Sequence, residues 1–269
     1  MMWFSNKVND IPENMFKNTN NINDRLKTVS LPDDLRTIGA SAFNGCVNLE
    51  SVHLGANLET IGALAFSSCN LSSIEFPDHL TTLGNQAFKG TRFETISIPR
   101  SVTTIGSNPF AECYSLESFT GDSPLISPDG HCLIYDGVLE SFTTVGVTGN
   151  YRVPSGVVSI SPEAMRRAIF TTVSFPSTLQ TIGVQAVRQC ENLSTVVIPA
   201  SVTVIGAYAF DSCPALESIT MESVTPPTIH SSSFRDLPSD CVIWIPNAGA
   251  SAYEAATGWS DLTSYFQVY

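Results

Sequence analysis

Residues 26–46 read Leu26-Lys-Thr-Val29-Ser-Leu31-Pro32, followed by Leu35, Ile38-Gly39, Ala42-Phe43 and Cys46. The same phrase begins again at residues 49, 71, 93 and 116, and after an interruption at 170, 193 and 216. We call the copies that begin at 26, 49, 71, 93 and 116 the first to fifth coils. A spacing of 22 or 23 residues with apolar positions fixed within each copy indicates a solenoid, in which every copy forms one coil.

The apolar positions predict how one coil is built. Val29 and Leu31 alternate with polar residues, so they face inward from a short strand that Pro32 ends. Gly39 permits a turn, because glycine adopts conformations closed to other residues, and a helical turn then buries Ala42 and Phe43. A single coil buries too little apolar surface to fold alone, so the coils must stack and the ends need caps.

The whole phrase, L-x-x-I-x-I-P-x-x-L-x-x-I-G-x-x-A-F-x-x-C, resembles the BspA-type leucine-rich repeats of bacterial surface proteins. The resemblance covers about residues 8–221 and includes the proline after the strand, the Ile-Gly pair, the Ala-Phe pair and the cysteine. It predicts an α/β solenoid with short parallel strands on one face and short helical turns on the other. It also implies adhesion to host or bacterial surface components.

We predict one leucine-rich-repeat solenoid over residues 1–269. Val8, Ile11, Met15 and Phe16 mark a half repeat at 8–25, which suggests that the repeat pattern continues on the N-terminal side. Repeats follow at 26–118 and 151–221. Between them, the turn signals Asp129-Gly130 and Asp136-Gly137 predict a small β-meander inserted at 119–150. Residues 222–269 form the C-terminal cap, with a strand at 241–246 and a short helix at 250–256.

The composition excludes two classes of partner. Lysine and arginine number 13 against 25 aspartates and glutamates, which gives a net charge of −12. An acidic chain lacks the electrostatic attraction that nucleic acids and anionic membrane surfaces require. No apolar run approaches the roughly 18 residues of a membrane span, and residues 1–16 lack the features of a signal peptide. We therefore expect no nucleic-acid partner, no membrane insertion by this segment, and a leader upstream if the protein is exported.

Seven cysteines, none arranged as CxxC, recur largely at one position of the coil. Cys46 and Cys69, like Cys190 and Cys213, are neighbours in adjacent coils, within reach of a disulfide. Side chains in a parallel ladder point the same way, however, and Thr91 takes this position in the third coil. We favour buried thiols over strained disulfides or a metal ladder, and expect neither a metal nor another cofactor.

No catalytic pattern accompanies the repeat. The four histidines, His53, His79, His131 and His230, form no HExxH motif and no His/Cys ligand spacing, and GxSxG, GxGxxG and P-loop motifs are absent. We therefore predict a protein that is not an enzyme. The remaining enzymatic alternative is a site built on the 119–150 segment.

The outward side of the strands is the candidate binding surface, since two positions per coil point away from the core. The first column contains only hydroxyl residues: Thr28, Ser51, Ser73, Thr95, Ser118, Thr172, Thr195 and Ser218. The second column contains Ser30, His53, Glu75, Ser97, Thr120, Arg152, Ser174, Val197 and Thr220. Neither column contains an aromatic residue, and Glu50, Glu94, Glu117 and Glu217 beside them favour cationic partners.

Two functions fit this surface. The first is a monomeric extracellular or cell-surface module that binds a host or bacterial surface protein or glycan through the strand face. The second is a structural spacer in a longer surface protein, because serine and threonine also suit a tight parallel ladder without any ligand. Arg166, Arg167 and Arg188 form the one basic cluster, which we interpret as a solvated face on the other side of the coil.

Overall fold

The computed structural model describes residues 2–3, 9–17 and 25–269. The chain forms two compact units, residues 1–135 and 136–269. Within each unit, successive coils pair through short parallel strands in the order of the sequence. The predicted leucine-rich-repeat solenoid is confirmed. The prediction that both units form one continuous solenoid stays a prediction.

The strands that the repeat predicts pair in parallel along one side of the coils, in two sheets in the first unit and one in the second, and we call the outward side of these sheets the strand face. Val29 pairs with Val52 in the first unit and Val173 with Val196 in the second, so equivalent residues of adjacent coils stand side by side. In the first unit the strands are Met2–Trp3, Thr28–Ser30, Ser51–His53, Thr95–Ile98 and Ser118–Gly121. In the second unit they are Asn150–Arg152, Thr172–Ser174, Thr195–Ile198, Ser218–Met221, Val242–Ile245 and Phe266–Val268.

Each unit has another parallel sheet, which the sequence did not reveal. Its strands typically end at the isoleucine of the Ile-Gly pair. Thr37 pairs with Thr60 and Ile38 with Ile61, and the isoleucines are buried. In the first unit its strands are Asp10–Ile11, Thr37–Ile38, Thr60–Ile61, Thr82–Leu83 and Thr104–Ile105. In the second unit they are Val138–Phe142, Ser159–Ile160, Thr181–Ile182, Val204–Ile205 and Thr228–Ile229.

Hydrogen-bonded turns take the place of the predicted helical turns. Successive N–H groups of a turn point in two directions. The N–H of Ala42 donates to the carbonyl of Gly39 in the same coil at 3.3 Å, whereas the N–H of Phe43 donates to the carbonyl of Ala65 in the next coil at 2.8 Å. Among the described residues, the one α-helix is Ala250–Ala255, beside the 3-10 turns Asn247–Gly249 and Ser260–Tyr265. The turns are thus bonded both within their own coil and to the next coil.

The glycine of the Ile-Gly pair serves close packing between coils, so our interpretation that it permits the turn was wrong. Gly39 and Gly62 do not have positive φ; the left-handed residue lies two positions later, at Ser41 (φ 55°) and Leu64 (φ 56°). A Cβ atom on Gly62 would lie 2.6 Å from the backbone nitrogen of Ala40 in the preceding coil. A larger residue would therefore push the coils apart.

Aromatic rings and aliphatic side chains stack along the interior. The Phe43 and Phe66 rings are nearly parallel, with centroids 5.1 Å apart, and the stack continues to Phe88 at 5.4 Å and Phe110 at 5.6 Å. In the second unit Phe210 stacks on Phe234 at 5.5 Å. Each ring covers the apolar face that the neighbouring coil would otherwise expose, so stability arises between coils.

The N-terminal segment adds partners for the first coil. Ile11 is buried beside Ile38, and the Phe16 ring stacks on Phe43 at 5.1 Å, as the half repeat predicts. Met15 differs, since it is 51% exposed. Met2–Trp3 pairs with Val29 and Ser30, a strand that the sequence did not reveal. Val8 and residues 18–24 lie outside the described residues.

The predicted insertion at 119–150 is divided between the units. In the first unit, Ser118–Gly121 pairs with the fourth coil, and an antiparallel bridge joins Ile126 to Leu133 of the strand Cys132–Tyr135. In the second unit, Val138–Phe142 is paired in parallel with Ser159–Ile160. Strands in this segment therefore take places in the solenoid sheets.

The C-terminal cap closes the second unit with aromatic residues. Trp259 is fully buried, and its indole nitrogen donates a hydrogen bond to the carbonyl of Pro227 at 2.7 Å. Tyr253 packs edge-on against it, with centroids 4.9 Å apart, and donates its hydroxyl to the carbonyl of Ser223 at 3.0 Å. These two contacts fasten the cap helix Ala250–Ala255 over the last coil.

The third coil departs from the pattern on the strand face. Residues 72–76 form no strand, so the sheet of Ser51–His53 ends on one side and that of Thr95–Ile98 begins on the other. The connection Cys69–Leu71 is one residue shorter than Cys46–Leu49. Shortness alone does not break the ladder, because the equally short connection from Ala168 to Phe170 leads into the paired strand Thr172–Ser174.

The glycine column yields a prediction about stability. We expect Gly62→Ala to lower the free energy of unfolding by about 1–3 kcal/mol, the usual cost of overpacking, because the new Cβ meets backbone atoms of the preceding coil. Urea unfolding followed by circular dichroism measures the change. Gly149→Ala is the matched control, since no atom lies within 4 Å of its Cβ position. Equal stabilities of the two variants would contradict the packing role.

Candidate functional site

The first column of the strand face lies in register where its strands are paired, which leaves out Ser73 of the third coil. Thr28 pairs with Ser51, and Thr172 with Thr195 and then Ser218. Ser51, Ser73 and Thr95 are exposed, whereas Thr28, Ser118, Thr172, Thr195 and Ser218 are half-buried. None of the eight side chains is buried in the core. That they contact a ligand stays a prediction.

Some hydroxyls of the first column bond to their neighbours in the ladder. The Thr95 and Ser118 hydroxyl oxygens lie 3.3 Å apart, and Thr172 donates to the Asn150 side-chain oxygen at 2.8 Å. Such bonds between coils stabilise the ladder itself. These bonds fit the interpretation of the solenoid as a spacer, because hydroxyls that bond to one another need no partner molecule.

The second column is the more accessible of the two. His53, Glu75, Ser97, Thr120, Arg152, Ser174 and Val197 are exposed, whereas Ser30 and Thr220 are half-buried. Val197 is 43% exposed between Ser174 and Thr220, with which it is paired. In the second unit this column forms a row of mainly polar side chains spaced by the distance between coils, about 4.8 Å. In the first unit the third coil, which contains Glu75, is not paired in this row.

The cap extends both columns in the second unit, which the sequence analysis missed. Val242 pairs with Ser218, Trp244 pairs with Thr220, and Gln267 pairs with Trp244. The half-buried Trp244 thus adds an aromatic residue to a surface that was expected to have none. Its signal was present in the strand Val-Ile-Trp-Ile-Pro, which repeats the apolar alternation and the final proline of the coils.

Carboxylates flank the columns as expected. Glu50, Glu94, Glu117 and Glu217 are all exposed. The Glu50 carboxylate lies 3.8 Å from the Lys27 ammonium, and both side chains are more than half exposed. Exposed pairs of this kind contribute little to stability, so these charges remain available to a partner.

The seven cysteines are buried thiols, in agreement with the sequence prediction. The sequence did not reveal why cysteine recurs: its thiol donates to a carbonyl of the preceding coil. The Cys69 sulfur lies 3.2 Å from the Phe43 oxygen, and that of Cys213 lies 3.3 Å from the Val187 oxygen. In the third coil the Thr91 hydroxyl bonds to the Phe88 carbonyl at 2.9 Å.

Burial raises the pKa of several of these thiols. It raises the pKa of Cys113 and of Cys241 from 9.0 to about 11 each, and it raises the pKa of Cys69 further. Cys190 and Cys213 form a pair: burial raises the pKa of Cys190, whereas the hydrogen bond with Cys190 lowers the pKa of Cys213. The bonds from buried thiols to carbonyls of the preceding coil give the column a role in packing and in hydrogen bonding between coils.

One member of the basic cluster, Arg188, pairs with a buried carboxylate. Asp211 is fully buried and accepts hydrogen bonds from the Nε atoms of Arg188 at 2.6 Å and Arg235 at 3.0 Å. Both guanidinium groups also contact the Tyr208 ring, at 5.7 and 5.0 Å from its centroid. Arg166 bonds to Gln189 at 3.0 Å. Arg188 and Arg166 are therefore part of a network between coils, which corrects the interpretation of a merely solvated face.

Among the residues that the structure describes, no three histidine, cysteine, aspartate or glutamate side chains could together hold a metal ion. His230 has a local role, since its Nδ1 atom lies 2.7 Å from the Ser232 hydroxyl. Within the same described ranges, no helix has the length and apolar character needed to span a bilayer.

Comparison with known proteins identifies the repeat. A family model described as "BspA type Leucine rich repeat region" matches residues 9–132 and 140–255, with six copies. No curated protein matches the chain.

Solved structures share the fold at low sequence identity. A leucine-rich cell surface protein from Faecalibacterium prausnitzii is 20% identical, with a TM-score of 0.57 over 94% of this chain and 85% of that one. A leucine-rich repeat protein from Eubacterium ventriosum is 23% identical, with a TM-score of 0.68 over 85% and 68%. The pneumococcal vaccine antigen PcpA is 15% identical, with a TM-score of 0.54 over 97% and 83%. At these identities the likeness shows the fold.

The buried carboxylate yields one prediction. Asp211→Asn leaves two guanidinium groups facing a neutral amide, so we expect the free energy of unfolding to fall by about 3 kcal/mol. The matched control is Glu59→Gln, which breaks the pair with Arg36, where both side chains are 49% exposed. That variant should lose less than about 1 kcal/mol. Equal losses in chemical denaturation would contradict the structural role of Asp211.

The raised pKa of the Cys113 thiol yields a prediction about how stability depends on pH. Between pH 9 and pH 11 the folded state keeps Cys113 protonated while the unfolded chain releases the proton, so stability present below pH 9 is lost as the pH rises. The difference in free energy of unfolding between the parent and Cys113→Ser should therefore fall by roughly 3 kcal/mol across this range, to the disadvantage of the parent. Denaturation of both proteins at several pH values measures the difference and cancels the titration of other groups. A constant difference would contradict the prediction.

Proposed function

Because the chain belongs to the BspA-type leucine-rich repeat family, we propose that it is a non-enzymatic binding module of the extracellular space or cell surface. The strand face binds an extended protein or glycan partner on a host or bacterial surface. The observation that carries this proposal is the second column, whose side chains are mostly exposed and, in the second unit, stand in register one coil apart. Such a row matches a partner with a regular repeat of its own.

Three further observations support this proposal. The surface is acidic, with a net charge of −12 for the chain, and exposed glutamates flank both columns. Trp244 supplies an aromatic side chain at one end of the second unit's columns, and aromatic residues are enriched at binding hot spots. The related protein from Faecalibacterium prausnitzii is described as a cell surface protein.

The alternative is a structural spacer within a longer surface protein. It is favoured by the first column, because Thr95 and Ser118, like Thr172 and Asn150, bond to one another across the ladder. A spacer would tolerate new charges on its strand face, whereas a binding module would not. This difference separates the two functions.

The test compares the parent with the double variant Ser174→Arg, Thr220→Arg. Both positions belong to the second column of the second unit, separated by Val197, and both point outward. We expect the parent to bind a member of a panel of matrix proteins, mucins, polysaccharides and whole bacterial cells in a saturable manner. The variant should lose at least ten-fold in affinity, measured by biolayer interferometry.

The matched control is Gln180→Arg, Val184→Arg, two exposed positions of the same unit outside the columns. It should bind as the parent does, and all three proteins should share one melting temperature. Absence of binding by the parent would favour the spacer, and equal binding by both double variants would place the site away from the strand face.

A further inference from the structure

The interruption in the third coil opens the strand face of the first unit. Residues 72–76 lie between the strands Ser51–His53 and Thr95–Ile98, yet their backbone groups take part in no hydrogen bond with the described residues on either side. In the second unit the equivalent residues are paired, for example Val173 with Val196. Two strand edges within the solenoid are therefore open.

The pairing register identifies which groups face the gap. The N–H of Ser51 donates to the carbonyl of Lys27 at 3.2 Å, and the carbonyl of His53 accepts from Leu31 at 2.9 Å. Alternate residues of a parallel strand bond to opposite neighbours, so the N–H and C=O of Val52 point toward the third coil. Val52 is only 8% exposed, and unpaired polar groups at such a position are costly.

Beside this edge lies a cavity of about 430 Å³, lined by residues 51–54 and 73–77. Its volume falls in the range of ligand sites. Ile74 and Phe76 are half-buried there, whereas Val52 and Ile96 of the neighbouring coils are buried. The Phe76 ring packs on Phe88 with centroids 5.6 Å apart, which leaves the remainder of the ring available to an apolar group.

The cavity and its neighbour are acidic. Glu75 lines both, and Asp78 and Asp122 line the second, which has a volume of about 340 Å³. Neither lining contains a lysine or arginine. Asp122 lies 4.0 Å from Arg100, and both side chains are mostly exposed, so Glu75 and Asp78 carry the charge that a partner meets.

We propose that the gap at the third coil is a docking site for an extended polypeptide segment that bears lysine or arginine. The segment adds to the open edge of Ser51–His53, bonds to the N–H and C=O of Val52, and places a basic side chain against Glu75. Alternate apolar side chains of the segment enter the cavity beside Ile74 and Phe76. Edge strands recognise peptides in this way, through main-chain bonds combined with side-chain pockets.

This inference rests on the proposed function, since it assigns a subsite and a partner chemistry to the same strand face. The proposed function and the docking site are tested by different variants. The variants that test the proposed function alter the second unit, whereas the variant that tests the docking site, Glu75→Arg, alters the first. One possible result is that Ser174→Arg, Thr220→Arg loses surface binding while Glu75→Arg binds the test peptide as the parent does. That result leaves the proposed function intact and overturns the docking site.

Hydrogen exchange followed by mass spectrometry tests the open edges. In the parent protein alone, the amides of residues 72–76 should exchange at least ten-fold faster than those in the paired strand Thr195–Ile198. Slow exchange in the gap would mean that the third coil closes the ladder in solution, and it would overturn the proposal.

Peptide binding tests the occupant. The probe is a capped heptapeptide of alternating lysine and valine, measured by calorimetry and by protection of residues 51–54 from exchange. Glu75→Arg should weaken its binding at least ten-fold, whereas the matched charge reversal Glu217→Arg, in the second unit, should leave it unchanged. Equal binding by the two variants would overturn the role of Glu75.

Two altered peptides separate charge from strand pairing. Glutamate in place of lysine should abolish binding, because it meets the carboxylates of the cavity. Methylation of alternate backbone nitrogens keeps the charge but removes the donors, and it should weaken binding at least ten-fold. Binding of either peptide with the affinity of the probe would overturn the proposed occupant.

Discussion

The backbone hydrogen bonds between successive coils are the interaction on which the rest of the structure depends. They fix a spacing of about 4.8 Å, and this spacing requires glycine at positions such as Gly62, where any Cβ would strike the preceding coil. The same spacing brings Phe43 and Phe66 into a parallel stack and sets the thiol of Cys69 within reach of a carbonyl. The repeated residues are thus the ones that touch the next coil.

This dependence explains what the sequence could predict. Inward residues such as Val29 and outward residues such as Ser51 follow from period-two alternation within one coil, and the repeat then aligns them into columns. The second sheet was missed because Thr37–Ile38 is only two residues long and too short to show a period. The role of Gly39 was misread because the atoms that crowd it belong to another coil, whose position the sequence does not specify.

The candidate site was predictable in its regular part and not in its exceptions. Ser73, Ile74 and Glu75 match the repeat as well as any other copy, so their sequence predicts a paired strand that the structure does not contain. The register of Trp244 depends on the length of the cap loop before it, which obeys no repeat. A uniform surface offers a partner the same contacts at every coil. Irregular positions of this kind interrupt that uniformity, so they can distinguish one place on the surface from another.

The cysteine column has a consequence for where the protein can fold. Because the coils are joined by thiols that donate hydrogen bonds, and because all seven cysteines are buried as thiols, their cohesion does not depend on the redox potential of the compartment. Proteins stapled by disulfides require an oxidising environment. The native solenoid therefore needs no oxidoreductase to form or correct a disulfide among its seven buried cysteines.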